Sequence, residues 1–257
     1  MRIIAGPCQH ETLEQSLQIA HECKRVCDKY GIDYYFKASF DKANRTSVNS
    51  ERGLGLVPTL HAFADMKHEI KGLKILTDVH TVEQVRQLDK SYSVDVLQIP
   101  AFLCRQTDLI KAACATDKIV NIKKGQFLAP WDVAGILSKT EGAKEVWITE
   151  RGTSFGYNTL VVDFVGLQYM LNNYDNITFD GTHSVQKPGG QGSSSGGDRS
   201  YVPGLCNAAS ALGVNNFFLE VHEDPEIAPS DGPNMLHIED FEEIVRDIIS
   251  YSYTSKV

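Results

Sequence analysis

Five cationic side chains follow short apolar runs of this sequence, where they could bind an anion. Arginine offers a planar fork that matches phosphate oxygens, whereas lysine acts as a point charge on phosphate or carboxylate. Cations gathered at one place repel one another unless an anion lies between them, so the set predicts a small substrate carrying both groups. Salt bridges around a rim are the competing explanation for some lysines, above all Lys124. The five are Lys37, Lys42, Arg45, Lys123 and Arg151.

A second set combines one thiol, one imidazole and two carboxylates. This mixture suits a divalent transition metal such as Zn²⁺, Fe²⁺, Mn²⁺ or Co²⁺. Spacing does not decide the matter, because a lone cysteine is commonly a small buried residue and a lone histidine is commonly hydrogen-bonded. Cys23 and Cys27 stand four residues apart, which one face of a helix explains better than a metal site. The four candidate ligands are Cys8, His183, Glu220 and Asp231.

Eight short β-rich runs alternate with amphipathic segments, the pattern of βα units around a parallel sheet. Most runs are apolar throughout, as in strands covered on both faces. Eight units in 257 residues favour one (β/α)8 TIM barrel, a single domain over residues 1–257, and no G-x-G-x-x-G follows a predicted strand. The predicted strands are RIIAG, DYYFKAS, LKILTDVH, VDVLQIPAF, IVNIKKG, EVWITERG, NITFDGTH and NFFLEV.

In such a barrel the chemistry lies at the carboxyl ends of the strands. One polar residue at a strand end is usually only solvated, but every predicted strand here finishes with one. The two sets above should therefore converge on a single face of the barrel. The other polar residues at these ends are Asp78, His80, Gln98, Lys124 and His222.

Helix and loop signals fit the same fold. The first helix is predicted from Leu13 and Leu17 at helical spacing behind a capping box formed by Thr12 and Gln15. The stretch PGGQGSSSGGD at 188–198 has the composition of a linker, but it lies directly between the seventh strand and a helix. A mobile loop over the barrel mouth is therefore the better interpretation.

Composition excludes several classes of partner. The formal net charge is −8 and no block of Lys or Arg stands out, which argues against nucleic acid and an anionic membrane surface. The start MRIIAGPCQHE becomes polar too early for a signal peptide, and no apolar run approaches the roughly 20 residues of a membrane span. Six cysteines without a C-x-x-C pair predict free thiols, and a cytoplasmic protein is expected.

Seven segments over nearly the whole chain resemble the 3-deoxy-D-manno-octulosonate-8-phosphate synthases. The most specific is KANR at 42–45, where the related 3-deoxy-D-arabino-heptulosonate-7-phosphate synthases usually have Lys-Pro-Arg. The resemblance implies condensation of phosphoenolpyruvate with D-arabinose 5-phosphate and water, a step toward the Kdo sugar of lipopolysaccharide. The segments are FKASFDKANRTS (36–47), TDVH (77–80), QIPAFLCRQTDL (98–109), NIKKGQF (121–127), ERGTSFGYNTLVVDF (150–164), THSVQKPGG (182–190) and SDGPNML (230–236).

The resemblance implies roles for individual residues, to which Lys37 is added as a substrate-binding cation. It places phosphoenolpyruvate and the sugar phosphate on adjacent parts of one site. Arg105 matches a residue that reaches into a neighbouring subunit's site, and because the family is usually tetrameric a homotetramer is expected. The implied contacts are Lys123, Arg151 and Gln126 at the phosphate of phosphoenolpyruvate, Lys42 and Gln98 at its carboxylate, and Asn44, Arg45 and Thr46 at the sugar phosphate.

The first strand end divides that family, since metal-free members carry Asn where metal-dependent members carry Cys. Cys8 therefore points to the metal-dependent class, with a metal that acts on either the aldehyde or the water. For catalysis, Lys42 is expected to protonate the new alkoxide, while His80 or Asp78 could relay the water proton.

Two rival functions and three departures from the family pattern stay open. The rivals are condensation with another aldehyde such as erythrose 4-phosphate, against which KANR speaks, and a non-catalytic phosphosugar or metal sensor, which would not need both residue sets.

Glu223 stands where the family usually has Pro, and Gly181 replaces a small apolar residue. Arg199 is the basic residue near the end of the Gly-rich loop and a further candidate for the sugar phosphate.

Overall fold

Eight parallel strands close into a barrel in this computed structural model, which describes residues 1–190 and 195–252. Each strand pairs with the next along the chain, and the last pairs back with the first, where Arg2 lies opposite Asn216. The TIM-barrel fold and all eight predicted strands are thereby confirmed. The strands are β1 (Arg2–Gln9), β2 (Asp33–Ser39), β3 (Lys74–Asp78), β4 (Val96–Ile99), β5 (Ile119–Lys123), β6 (Val146–Glu150), β7 (Ile177–Asp180) and β8 (Asn216–His222).

Helices follow the strands. In the first helix Thr12 accepts a hydrogen bond from the Gln15 backbone N–H, which is half of the predicted capping box. The other half is not formed, because the Gln15 side chain turns to Glu11, His222 and Glu223. No helix within the described ranges is long and apolar enough to cross a membrane. The helices are α1 (Leu13–Lys29), α2 (Leu56–Glu69), α3 (Val82–Asp89), α4 (Thr107–Cys114), α5 (Val133–Leu137), α6 (Phe164–Asn173), α7 (Val202–Leu212) and α8 (Phe241–Ser250).

Short elements decorate the loops. Thr153–Ser154 pairs with Leu160–Val161, Gln186–Lys187 pairs with Gly196–Gly197, and Leu236–His237 extends alongside β8. The predicted mobility of the Gly/Ser-rich loop at 188–198 falls in part on residues 191–194, which lie outside the described ranges. Single 3₁₀ turns lie at Ala101–Leu103, Pro130–Asp132, Arg199–Tyr201, Gly232–Asn234 and Ile238–Asp240.

Strand β7 ends earlier than the sequence predicts. The run NITFDGTH favours an extended chain through His183, but β7 stops at Asp180 and Gly181–Ser184 forms one helical turn. The cause is the Asp180 side chain, which accepts a hydrogen bond from the His183 backbone N–H at 2.9 Å and caps the turn. His183 therefore projects from a helical turn above the strand and not from the strand itself.

The barrel interior is apolar toward the amino ends of the strands. There the Arg2 guanidinium lies 3.5 Å from the centroid of the Trp147 ring, a cation–π contact that covers this end. A larger apolar cluster fills the layer between strands and helices. All six cysteines are buried free thiols, as predicted, and Cys23 and Cys27 belong to the buried face of α1. The interior apolar residues are Ile4, Tyr35, Leu76, Val96, Trp147 and Phe218.

Candidate active site

A cavity of about 540 Å³ opens at the carboxyl ends of the strands, where the sequence predicts the chemistry. Its size suits small phosphorylated molecules. Loops after β2, β7 and β8 complete its wall. The predicted site residues that line it are Lys37, Lys42, Asn44, Arg45, Thr46, Asp78, Gln98, Lys123, Gln126, Arg151, His183 and Asp231.

Lys123 and Arg151 form a buried cationic corner of this cavity. Arg151 Nη2 donates to Gln186 Oε1 at 2.9 Å, while its Nη1 has no hydrogen-bond partner among the described residues. Lys123 Nζ lies 3.2 Å from the centroid of the Phe218 ring. Burial lowers the pKa of Lys123 to about 8, although Asp180 opposes the shift. A buried guanidinium nitrogen left unpaired beside a second cation is suited to an anionic ligand.

Asp180 lies next to both Lys123 and His183, and the sequence analysis did not predict it as a site residue. Its Oδ2 contacts Lys123 Nζ and lies 2.8 Å from His183 Nδ1, the latter a charge contact without hydrogen-bond alignment. Burial favours the neutral acid, but His183 and Lys123 outweigh it and hold the pKa of Asp180 well below its usual range. The available signal was an Asp directly before Gly-Thr-His, which is a helix N-cap pattern.

Cys8, Glu220 and Asp231 bring one thiol and two carboxylates together, with ligand atoms all within 4.8 Å of one another. Cys8 Sγ donates to Asp231 Oδ2 at 3.2 Å. His183 Nε2 lies 3.8 Å from Glu220 Oε2, and that buried oxygen accepts no hydrogen bond from any described residue. A divalent cation would satisfy an unpaired carboxylate oxygen beside such donors. The structure thus places the four predicted ligands as neighbours.

The cation Lys37 is tied to this cluster and not free for substrate. Its Nζ lies 2.9 Å from Glu220 Oε1 and donates to the Cys8 carbonyl at 2.8 Å, with the side chain almost fully buried. Burial raises the pKa of the Cys8 thiol, and Glu220 raises it further. The thiol is therefore protonated until a nearby positive charge favours the thiolate.

Lys42 and Arg45 are the cations of the outer cavity. No described residue forms an ion pair or hydrogen bond with the Lys42 ammonium. Burial alone would lower the pKa of Lys42, but the carboxylates around it raise that pKa well above its usual value. Arg45 donates to Gln9 Oε1 and to the Glu51 carbonyl, each at 2.8 Å. The two acceptors of Arg45 are uncharged, and the Lys42 ammonium has no described partner. Both cations therefore remain available to an anion.

The backbone is left-handed at two of the candidate ligands, with φ of 64° at Cys8 and 57° at Asp231. Aspartate tolerates this region, whereas for cysteine it costs roughly 1–3 kcal/mol, a strain that is typically kept at functional sites. The β1–β2 register shifts between Ala5 and Cys8, which marks a bulge. Gly6 is required there because a Cβ would overlap the Lys37 carbonyl.

Three of the residues predicted to bind substrate or to relay a proton do not line the cavity. The His80 backbone N–H donates to Gln84 Oε1, and its ring nitrogen Nδ1 lies 3.2 Å from the same oxygen; its relay role stays a prediction. Arg105 is exposed outside the cavity of its own chain. Arg199 contacts residues of the loop 226–237, including the Gly232 carbonyl at 2.9 Å, and is absent from the cavity lining.

Gln186 joins the cationic corner to the candidate metal cluster. Its Nε2 donates to Asp231 Oδ1 at 2.7 Å, while its Oε1 accepts from Arg151. It stands in a loop hairpin, where sequence patterns gave no signal.

The salt-bridge explanation of Lys124 is confirmed, since its Nζ lies 3.1 Å from Glu150 Oε2 and both side chains are buried.

Gly181 and Glu223, the two residues that depart from the family pattern, lie outside the cavity lining. A Cβ at Gly181 would overlap Cys206 Sγ, so the glycine is matched to the cysteine that α7 packs against it. Glu223 Oε1 accepts from Gln15 Nε2 at 2.9 Å, and the same Gln15 nitrogen lies 2.8 Å from His222 Nε2. The contact between Gly181 and Cys206 shows that the helical turn carrying His183 is closely packed against α7.

Known proteins resemble this chain over its full length. The sequence profile of the DAHP synthetase I family matches residues 1–253. The 2-dehydro-3-deoxyphosphooctonate aldolase of Brucella anthropi is 52% identical over 256 residues, covering 99% of this chain and 91% of the relative. Proteins of the same name from Rhodopseudomonas palustris (strain BisB5) and Caulobacter vibrioides (strain NA1000 / CB15N) are 51% and 50% identical, each covering 100% of this chain and 89% of the relative.

Proposed function

The chain belongs to the DAHP synthetase I family, and we propose that it condenses phosphoenolpyruvate with D-arabinose 5-phosphate and water to give 3-deoxy-D-manno-octulosonate 8-phosphate and phosphate. The proposal is carried by the cationic lining of the cavity. Lys42, Arg45 and Arg151 form no bond with an acidic side chain among the described residues. Such cations favour a polyanionic occupant, and the reaction's two substrates carry two phosphates and a carboxylate.

Phosphoenolpyruvate lies with its phosphate on Lys123 and Arg151, beside Gln126. The unpaired Arg151 Nη1 is a donor available to the phosphate, and Gln126 lines the same cavity. Its carboxylate is directed toward Gln98 and Lys42. Charge-assisted contacts at both ends fix the enol carbon in the middle of the cavity, which is the positioning that a bimolecular condensation requires.

The sugar phosphate occupies the outer cavity beside Asn44, Arg45 and Thr46. Arg45 holds its phosphate, since both hydrogen bonds that Arg45 makes to described residues are to neutral oxygens. This leaves the aldehyde end pointing inward toward Lys42. The depth of the lining residues decides which substrate lies further inside. The corner formed by Lys123 and Arg151 is buried, whereas Arg45 lies nearer the opening.

A divalent transition metal is part of the proposal. When bound, it would supply the positive charge that polarises a substrate or water oxygen. The surrounding residues prepare the ligands: Asp180 caps the helical turn that carries His183, Lys37 fixes Glu220, and Gln186 fixes Asp231. The ion would be Zn²⁺, Fe²⁺, Mn²⁺ or Co²⁺, and its ligands would be Cys8, His183, Glu220 and Asp231.

In the condensation, C3 of phosphoenolpyruvate bonds to the aldehyde carbon, water adds at C2, and the bond from C2 to the bridging oxygen breaks to release phosphate. Lys42, kept protonated by its surroundings, donates a proton to the new alkoxide. Asp78 is a poor base for the water: burial raises its pKa, but Lys37 and Lys42 outweigh burial and hold the pKa of Asp78 well below its usual range. Its proposed role is to position Gln98 instead.

We also propose a cytoplasmic homotetramer. The phosphorylated substrates are charged metabolites that do not cross a membrane unaided, and Arg105 is exposed beyond the cavity of its own chain. Arg105 would then reach the sugar-phosphate site of a neighbouring subunit. Sedimentation of the purified protein measures the assembly size, and a monomer at assay concentration would contradict the shared site.

The reaction is tested by incubating the protein with phosphoenolpyruvate and arabinose 5-phosphate and following the loss of phosphoenolpyruvate and the release of phosphate. We expect turnover that stops on chelation and resumes when Mn²⁺, Zn²⁺ or Fe²⁺ is added. Turnover unaffected after complete metal removal would contradict the metal. Turnover of phosphoenolpyruvate with erythrose 4-phosphate but not with arabinose 5-phosphate would identify erythrose 4-phosphate as the sugar substrate. Ligand binding without turnover would support a sensor.

Replacing Asp180 with Asn is expected to weaken both halves of the site. Loss of a carboxylate behind a metal-bound histidine typically lowers metal affinity about 10–100-fold, and Lys123 would lose its counter-charge. We expect both the Mn²⁺ Kd of metal-free protein and the KM for phosphoenolpyruvate to rise. Asp95→Asn, which breaks an ion pair to Lys67 outside the cavity, is the matched control. A folded Asp180→Asn protein with unchanged Kd and KM would contradict the role given to Asp180.

A further inference from the structure

A row of five buried polar side chains crosses the barrel, one from each of five neighbouring strands, β2 to β6, and two of them, Asp78 and Gln98, line the cavity. The Ser39 hydroxyl donates to Asp78 Oδ2 at 2.7 Å, and Gln98 Nε2 donates to Asp78 Oδ1 at 2.5 Å. Asn121 Nδ2 donates to Gln98 Oε1 at 2.8 Å, and the Thr149 hydroxyl donates to Asn121 Oδ1 at 2.7 Å. Every bond therefore runs in one direction, toward Asp78.

The charge of Asp78 sets that direction. An ionised carboxylate only accepts hydrogen bonds, so Gln98 must turn its NH₂ group toward it. The Gln98 carbonyl then faces β5, where only a donor fits, and Asn121 must present its own NH₂ group. The Asn121 carbonyl in turn requires the donor that Thr149 supplies. Reversing any one amide would place two acceptors against each other in a site that excludes water.

We propose that Asn121 and Thr149 are positioning residues that set the amide of Gln98 for the carboxylate of phosphoenolpyruvate. Both are fully buried and neither lines the cavity, whereas Gln98 does. With the Gln98 carbonyl held by Asn121 and one N–H held by Asp78, the second N–H is the donor left for a substrate oxygen. This inference rests on the proposed function, because it takes the Gln98 ligand to be that carboxylate.

Asn121→Asp tests the direction of the row with almost no change of shape. The new carboxylate cannot donate to the Gln98 carbonyl, so the amide is driven out of its native orientation. We expect the KM for phosphoenolpyruvate to rise about tenfold with kcat changed less than about threefold, the size of effect expected for one lost hydrogen bond. Thr149→Val should raise KM by a smaller factor, and Thr149→Ser, which keeps the hydroxyl, should restore it.

A double mutant separates positioning from general damage. In a Gln98→Ala background, Asn121→Asp should raise the KM by less than about twofold more, because the residue it positions is gone. An equal rise in both backgrounds, or an unchanged KM in folded Asn121→Asp protein, would overturn the proposal. If Asn121→Asp does not fold, a Thr149→Val protein with the KM of Thr149→Ser overturns it instead.

Direct binding distinguishes this result from failure of the proposed function. Calorimetry with phosphoenolpyruvate alone measures its Kd for each variant without any turnover. If the unmodified chain binds phosphoenolpyruvate but does not consume it with arabinose 5-phosphate, the proposed reaction fails, while the Kd pattern across the variants still decides the roles of Asn121 and Thr149. A chain that does not bind phosphoenolpyruvate overturns both proposals.

Discussion

Lys123→Met is expected to lower kcat/KM for phosphoenolpyruvate by about a thousandfold, because two losses combine. The ammonium no longer contacts the phosphate, and a charge-assisted hydrogen bond of this kind stabilises by roughly 1.5–3 kcal/mol. The Asp180 carboxylate is also left buried without its partner, where it repels the incoming dianion. Initial rates at varied phosphoenolpyruvate and saturating sugar phosphate measure the change.

The double variant Lys123→Met with Asp180→Asn is the control for that second loss. It removes the leftover charge, so it should bind phosphoenolpyruvate more tightly than Lys123→Met alone. A Lys123→Met protein that melts normally and keeps kcat/KM within tenfold of the unmodified chain would show that the phosphate lies elsewhere.

The same lysine gives the reaction a pH limit. Burial lowers the pKa of Lys123 to about 8; Asp180 and Glu220 favour its charged form and Lys37 opposes it. The side chain is therefore charged below that pH and neutral above it, so the KM for phosphoenolpyruvate should rise as pH rises through about 8. In Lys123→Met this part of the pH dependence should disappear.

The barrel could be predicted because each strand is buried on both faces and so stands out as an apolar run between helical segments. The error at β7 has a local cause. The run is apolar up to Phe179, but Asp180 offers its carboxylate to the backbone of His183 and starts a helical turn. A short cap of this kind competes with strand extension over only three or four residues, which is too short a pattern to separate from the strand.

The candidate site was predicted unevenly, for a geometric reason. Residues that project from strand ends into the cavity are found by the barrel rule alone, as Lys123 and Arg151 were. Residues that hold them are not, because their partners are far apart in the sequence: Asp180 contacts Lys123, and Asn121 bonds Gln98, across gaps that no periodicity connects. Their function exists only once the barrel closes.

The charge argument predicted an anionic ligand but was incomplete about the protein. The sequence analysis expected five cations to require an anion. Two of them are already neutralised by buried acids, Lys37 by Glu220 and Lys123 by Asp180. The unpaired cations are thus fewer, and the buried acids link the cationic corner to the candidate metal ligands through shared partners.

Cys8→Asn is expected to abolish stable metal binding while leaving the fold intact. The change removes the only sulfur donor of the cluster formed by Cys8, Glu220 and Asp231. Losing a residue that merely orients a ligand costs about 10–100-fold in affinity, so losing a ligand should cost more. Asparagine adopts positive φ more readily than cysteine, and the backbone at this position has φ of 64°. The substitution should therefore relieve strain, and an unchanged melting temperature would show that a lower metal content is not caused by unfolding.

Metal content per chain by elemental analysis, and the Mn²⁺ Kd of metal-free protein, measure this effect. Cys27→Ala is the matched control, because Cys27 is an equally buried thiol on α1, remote from the cluster, and its loss should leave the metal content unchanged. An undiminished metal content in Cys8→Asn would remove Cys8 from the ligand set. If the variant loses the metal but retains turnover, Lys42 and the cationic corner suffice for the chemistry and the ion chiefly arranges the site; if turnover is lost with the metal and not regained, the ion acts on a reacting oxygen.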